Sequence, residues 1–403
     1  MRPFTSTISL EEAKRRLDAA VRPMARTERV RLEDAAGRVA AADVISAVDV
    51  PPFARSAMDG YAVVSADTAG ASRSSPVRLR LIDHIYTGQP SAVVIEPGSC
   101  AEIATGAPLP AGADAVAMVE DTARQGIEIE VFATAAAGQH IGRRGADIAA
   151  GDRAIAAGDL LSPSRVGAIA AIGHAGADVF AKPRVAILST GNEVIEPGSQ
   201  LAPGQIFDVN RFTLGAVVSA HGGIAEPHRA AQDTVASLIE ALDGCATADL
   251  IVFSGGSSVG ERDLVVDAIA ARGEMIFHGI AVRPGKPTAF ATVGHASTPF
   301  FGMPGNPTSC LSNAYILLVP FLRALARLPP HAPRTVRAPL GRRIASAVNR
   351  HQFYTVRLRD GVAFPAFKGS GDITSLSQAD GYIEIPADQS VVEEGTPVDV
   401  TLF

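Results

Sequence analysis

The sequence predicts a multidomain α/β plus β protein. A central doubly wound α/β domain follows a helical segment that carries a β-rich insertion, and a small β-domain comes last. Three stretches predict this. At 250–253 the run Leu-Ile-Val-Phe, apolar and rich in β-branching, reads as a strand buried on both faces and ended by glycines. Between 183 and 320 such strands alternate with helical spacing, the pattern of a parallel sheet covered on both sides. At 77–81, 127–131 and 354–359 apolar and polar residues alternate with period two, which gives half-buried strands outside the core domain.

Taken in order, Ser9 and Glu12 form a capping box at the head of 10–21, an amphipathic helix with Leu10, Ala13, Leu17 and Ala20 on one side. A second short helix is expected at 32–42. From Val48 to about Asp147 the pattern changes to strands, loops and glycines, and helix returns at 164–174. The central domain then reads as strand 185–190, helix 211–221, a strand near Ile224, helix 234–242, strand 250–253, helix 263–272, strand 300–302 and helix 309–326. Pro320 should kink the last of these. A Pro-rich linker at 328–333 leads to the final β-domain, where Asp360-Gly361 is a hairpin turn signal. The domain bounds expected are 1–47 with 148–182, 48–147, 183–327 and 334–403.

Composition excludes several classes of function. A chain of 403 residues, 47% hydrophobic, can bury several cores. Its 36 basic and 42 acidic residues leave a net charge of −6, with no dense basic run interleaved with aromatics, so no nucleic-acid surface is expected. Cys100, Cys245 and Cys310 lie far apart without metal-ligand spacing, which suits a reducing cytoplasm. No run approaches the roughly 18 apolar residues needed to span a bilayer, and the N-terminus has no early apolar block. A cytoplasmic protein without membrane or nucleic-acid partners is expected.

In an open α/β sheet, ligands gather outside the carboxyl ends of the strands. Those ends carry Thr190, Gly191, Asn192 and Glu193, then Ser254 to Asp263, then Met303, Pro304, Gly305, Asn306 and Pro307. The turn after Ser254, with Gly255, Gly256, Ser258 and Gly260, offers uncapped backbone N–H groups and is an anion cradle. Glu261 and Asp263 would repel a bare anion there. A helix-end field of about 0.3–1 kcal/mol per charge cannot outweigh them, so a divalent cation or lysine should accompany the anion. The loop R-P-G-K-P at 283–287 holds Arg283 and Lys286 between prolines, either a surface turn or a preorganised oxyanion clamp. Asp59 before Gly60, and Thr105 in A-T-G-A-P-L-P, read on spacing alone as turn residues. No Ser-His-acid triad can be assembled, and the nine histidines show no paired metal spacing, which favours electrostatic and metal-assisted chemistry over covalent catalysis.

As an ordered set, P-P-F-A-R-S-A-M-D-G-Y-A, I-A-T-G-A-P-L-P, R-R-G-A-D-I, V-A-I-L-S-T-G-N-E-V, G-Q-I-F-D-V-N, S-G-G-S-S-V-G-E-R-D, R-P-G-K-P and F-G-M-P-G-N-P resemble the molybdopterin molybdenumtransferase family, whose eukaryotic relatives include the E domain of gephyrin. The resemblance implies insertion of molybdate into adenylated molybdopterin with release of AMP. It also implies Mg²⁺ and a central domain similar to molybdopterin adenylyltransferase. A homodimer follows as well, whose shared active site would have Asp59 and Thr105 acting across the interface. Catalytic roles are implied for Asp59, Thr105, Asp147, Glu193, Asp263 and Lys286, with Glu193 and Asp263 holding the metal. Anion or substrate contacts are implied for Arg283, Lys286, Pro287, Ser309, Arg357 and Ser370 or Ser375, beside the strand-end loops. Three positions depart from the family pattern: Gly279 and Arg283 stand where lysines are frequent, and Ala146 replaces a glutamate beside Asp147. Molybdopterin adenylyltransferase and apo-molybdoenzymes are the expected protein partners. Rival readings are a non-catalytic molybdopterin-binding or scaffold protein and the adenylyltransferase reaction itself.

Overall fold

The computed structural model describes residues 7–228, 234–255 and 264–403. It divides into one unit made of Met1–Thr27 with Phe180–Phe403 and another made of Glu28–Val179.

The first unit is built on a six-stranded sheet in the order Ile224–Pro227, Arg184–Ser189, Leu250–Ser254, Thr298–Met303, Ala289–Val293, Gly273–His278. Its first four strands are parallel, as the strand–helix alternation requires. The last two are antiparallel, so the sheet is mixed where the sequence led to a purely parallel one. The edge strand of the two, Gly273–His278, follows its helix without a break and lacks a period-two pattern. Leu250, Ile251, Val252 and Phe253 are all buried, as predicted for a central strand. Each such side chain contributes about 1.5–3 kcal/mol of transfer free energy.

Helices cover both faces. Asn210–Ala220 and Pro307–Leu325 share one core with Val185, Leu250 and Phe301. Val235–Asp243 and Leu264–Arg272 share the other with Leu188, Phe253 and Phe300. Pro307–Leu325 has a mean hydropathy of 1.3 and is long enough to cross a membrane, against the expectation that no run would be; 72% of it is buried within the fold, as a core helix would be. Inside it a π turn, Ala314–Leu318, precedes Pro320. The irregularity expected from a residue without an N–H is therefore a widened turn.

The helix Leu10–Ala20 opens as predicted, with the Ser9 hydroxyl accepting from the Glu12 N–H at 3.1 Å. Leu10, Ala13 and Leu17 pack into the same core as Ile280 and Val282. At the other end of the chain a second sheet runs Val282–Arg283, His351–Arg359, Gly381–Ile385, Pro397–Leu402, Thr335–Pro339. Asp360 and Gly361 take φ of 50° and 76° and join His351–Arg359 to Val362–Pro365, the hairpin expected.

The unit Glu28–Val179 carries a six-stranded sheet in the order Ala115–Met118, Gly60–Val63, Ser99–Ile103, Val77–Ile85, Glu128–Val131, Thr122–Gln125. The predicted alternation holds for Leu79, Leu81, Ile129 and Val131, which are buried, but not for Ile127, which lies before the strand Glu128–Val131 and is 66% exposed. A helix forms at Pro163–Ala171, as expected. The helix expected at 32–42 is only a 3₁₀ turn, Leu32–Asp34. Beyond it Val39 and Ala40 form β-bridges to Leu160 and Val179, so tertiary pairing overrides the local helical spacing.

Candidate functional site

The carboxyl ends of Arg184–Ser189, Leu250–Ser254 and Thr298–Met303 open into a cleft of about 1290 Å³. Asn210, the first residue of its helix, ties two of these ends together. Its Nδ2 donates to the Ser254 hydroxyl and to the Gly305 carbonyl, both at 2.7 Å. A carbonyl only accepts, so Nδ2 is fixed there and Oδ1 is left buried without a partner. Asp208 is buried beside it, accepting from the Ser189 hydroxyl at 2.7 Å and from the Arg211 N–H at 3.0 Å. Gly255 ends the central strand with φ +118°, and a Cβ there would meet the Thr190 carbonyl oxygen at 2.5 Å. Only glycine lets that backbone turn so close to its neighbour.

The loop 283–287 also lines the cleft. Val282–Arg283 pairs with His351 and Gln352 as the first strand of the C-terminal sheet. Asn313, buried in the core helix, donates to Gly285 O at 2.9 Å and Thr288 Oγ1 at 2.6 Å. A third loop closes against the same helix: Asn306 Nδ2 donates to Ser370 Oγ at 3.1 Å, Thr308 N to Ser370 O at 3.1 Å and Thr308 Oγ1 to Asp372 O at 2.8 Å.

Of the residues singled out from the sequence, Glu193, Ser254, Gly255, Arg283, Lys286, Pro287, Pro304, Gly305, Asn306, Pro307, Ser309 and Ser370 line this cleft. Gly256, Ser258, Gly260 and Asp263 lie outside the described residues. Arg357 does not line it; its guanidinium donates to the backbone and side-chain carbonyls of Gln378. Ser375 is buried behind the loop, its hydroxyl accepting from Lys368 N at 3.0 Å. Of the two serines weighed from sequence, Ser370 is the one that reaches the cleft.

The lining also brings in charged and amide side chains that the sequence did not single out, among them Asp208, Asn210, Arg350 and Lys368. Asp208 and Asn210 sit in G-Q-I-F-D-V-N just before a helix, where a capping acid could have been suspected. Lys368 opens the K-G-S-G-D-I-T-S loop, of which only the serines were weighed from sequence, and Arg350 stands in a loop with no motif to mark it. With Arg283 and Lys286 they bring the cations of the cleft lining to four among the described residues, beside the carboxylates Glu193 and Asp208.

The donor chemistry suits a hard divalent cation. Glu193, Asp208 and the unpartnered Asn210 Oδ1 offer oxygen only, and magnesium is held by one or two carboxylates together with substrate phosphates. Among the described residues no three His, Cys, Asp or Glu side chains make a closed metal cage.

In the unit Glu28–Val179, Asp59 and Thr105 meet directly. Asp59 Oδ1 accepts from Thr105 N at 2.7 Å and from Thr105 Oγ1 at 2.9 Å. These bonds, backbone first, hold the Asp59 carboxyl below its ordinary value. Gly60 opens a strand instead of completing the turn expected at Asp59-Gly60. Asp147 is exposed in a separate loop of this unit, its N–H donating to Val50 O at 3.0 Å. The three cysteines are buried, and burial pushes the Cys100 and Cys310 thiols up to about 12 and Cys245 to about 11, so none is a nucleophile.

Family profiles match in sequence order: the MoeA N-terminal region (domain I and II) over residues 8–173, a probable molybdopterin binding domain over 186–324, and the MoeA C-terminal region (domain IV) over 337–403. Molybdopterin molybdenumtransferase 2 of Mycobacterium tuberculosis is 36% identical, covering 92% of this chain and 94% of its own. The chain belongs to the molybdopterin molybdenumtransferase family. The molybdopterin molybdenumtransferase of Haemophilus influenzae is 30% identical over 98% of both chains. The crystal structure of a molybdopterin biosynthesis MoeA protein from Pyrococcus horikoshii superposes with a TM-score of 0.85 at 38% identity, covering 98% of this chain and 99% of that one. The family's multidomain fold, with its central molybdopterin-binding domain, is thus the fold of this chain.

Proposed function

We propose that the protein inserts molybdate into adenylated molybdopterin with release of AMP, the final step in making the molybdenum cofactor, and that it does so in the cytoplasm as a Mg²⁺-dependent homodimer. One observation carries the reading: a single cleft is lined both by the cations Arg283, Lys286, Arg350 and Lys368 and by the oxygen donors Glu193, Asp208 and Asn210. Two anionic reactants, molybdate and a phosphoanhydride, need both.

Lys286 and Arg283 hold molybdate on a loop that Asn313 keeps rigid, and Ser370 and Ser309 offer hydroxyls beside them. Preorganised charge of this kind costs little reorganisation when charge shifts during transfer. Glu193 and Asp208, with Asp263 as the family resemblance implies, would hold magnesium, which would supply Lewis-acid polarisation of the anhydride. The cleft keeps molybdate and the dithiolene within reach of one another, and this positioning replaces an encounter between two anions in solution. Water opens the anhydride and AMP leaves. Asp59, ionised and oriented by Thr105, acts on the substrate bound in the partner subunit's cleft, with Asp147 from the same unit. Molybdopterin adenylyltransferase is the supplier of substrate and apo-molybdoenzymes are the recipients of product.

The test is to mix the protein with adenylated molybdopterin, Mg²⁺ and molybdate and to follow AMP. Molybdate-dependent AMP release is expected, and its absence would sink the reading. Ligand retention without turnover would mark a scaffold protein, and ATP-dependent adenylation of molybdopterin would mark the adenylyltransferase.

A further inference from the structure

A second, smaller cavity of about 170 Å³ lies in the unit Glu28–Val179. Its wall is dictated by sheet register. Tyr61 and Glu102 are directly opposite on neighbouring antiparallel strands, and Glu102 is paired with His84 on the strand beyond. Directly paired residues share one face of a sheet, so a phenol, a carboxylate and an imidazole stand abreast. Asp59 precedes the first of these strands and Tyr86 follows the third; both line the same cavity.

The hydrogen bonds leave acceptors unspent. Glu102 Oε2 takes both His84 Nδ1 and Arg124 Nη1, each at 2.9 Å, so its Oε1 keeps its lone pairs. Asp59 takes both Thr105 bonds on Oδ1, and its Oδ2 is in the same position. Tyr86 is 59% exposed, more than any phenylalanine ring among the described residues. Two fixed carboxylate acceptors beside phenol rings match a planar ring system that carries N–H donors in its plane and a π face across it. The volume is well below the 300 Å³ or so of a whole-ligand pocket, so the cavity suits one ring system of a larger molecule.

We propose that this cavity binds an aminoheterocycle, the adenine or the pterin of the adenylated substrate, with Glu102 and Asp59 accepting its N–H groups and Tyr86 covering its face. The choice of heterocycle rests on the proposed function; the presence of a ring-binding subsite does not. The test uses the full chain and two probes, AMP and 6-hydroxymethylpterin, with inosine monophosphate as the control that lacks the exocyclic amine. Binding is measured by calorimetry and by pterin fluorescence for wild type, Glu102→Gln and Tyr86→Ala, with melting curves to verify folding. One probe should bind wild type and lose at least tenfold in affinity in each variant. AMP binding that inosine monophosphate cannot reproduce assigns the nucleobase, and pterin binding assigns the pterin. If neither probe binds, or if both folded variants bind like wild type, the proposal is overturned. AMP release by wild type is followed separately: its failure would overturn the proposed function and leave the ring-binding result standing.

Discussion

Asp59 is held through one oxygen, and that detail sets its titration. The Thr105 N–H and hydroxyl stabilise the ionised form, so the carboxyl protonates below its ordinary 3.8. For a depressed acid the ionised state is kept at neutral pH and lost only as pH falls through the folded value. Thr105→Val should therefore move the acid limb of AMP release upward, and a pH profile that does not move would refute the coupling. Asp59→Ala should cost about 100-fold or more in turnover, the range for a positioned acid or base, with the melting temperature unchanged because the side chain is exposed. Residue-scale roles were only partly legible from sequence. Asp59-Gly60 reads as a turn until Thr105, distant in the chain, is seen to satisfy it.

The loop 283–287 and the helix Asn210–Ala220 show what elements add. Gly285 takes φ +101°, and a Cβ there would come within 2.2 Å of Asn313 Nδ2, one of the atoms that holds the loop. Gly285→Ala should cost about 2–3 kcal/mol in denaturant unfolding, from strained backbone and a broken buried hydrogen bond. It should also weaken molybdate binding by displacing Lys286. An alanine variant with wild-type stability and affinity would contradict this. At the far end of Asn210–Ala220, burial first and then the neighbouring His331 and Arg323 lower His221 from 6.5 to about 4. Its unfolded state binds the proton more readily. Stability is then full above about pH 6.5 and falls as pH drops towards 4. That lowering makes the neutral, folded ring worth about 1–2 kcal/mol, since water reaches part of it. His221→Leu should flatten the melting temperature between pH 7 and 5, and an unchanged slope would remove His221 as its cause.

At the scale of the whole molecule the prediction concerns assembly. If the unit bearing Asp59 in one subunit completes the cleft bearing Lys286 in another, Asp59→Ala and Lys286→Met would be inactive alone and complement each other when their chains are exchanged. Random reassortment makes half the dimers mixed, each with one intact site of two, so about one quarter of wild-type turnover should return. No recovery after verified subunit exchange would restrict the site to a single chain. Chelation should abolish AMP release, with Mg²⁺ restoring it, since the strand-end donors are all oxygen.

The amino-acid sequence by itself determined the alternation of buried strands and amphipathic helices, the capped first helix, the Asp360-Gly361 hairpin and the motif set that names the family. Each of these is written in neighbouring residues, through side-chain periodicity, turn chemistry or contiguous motif. Tertiary structure alone decided that 32–42 pairs instead of coiling, and that the sheet turns antiparallel at one edge. It also decided that Ser370 reaches the cleft while Arg357 is taken by Gln378, and that Arg350 and Lys368 join Lys286. Those outcomes depend on partners far away in the chain, and a hydrogen bond or a shared cavity between distant loops leaves no period in the sequence to read.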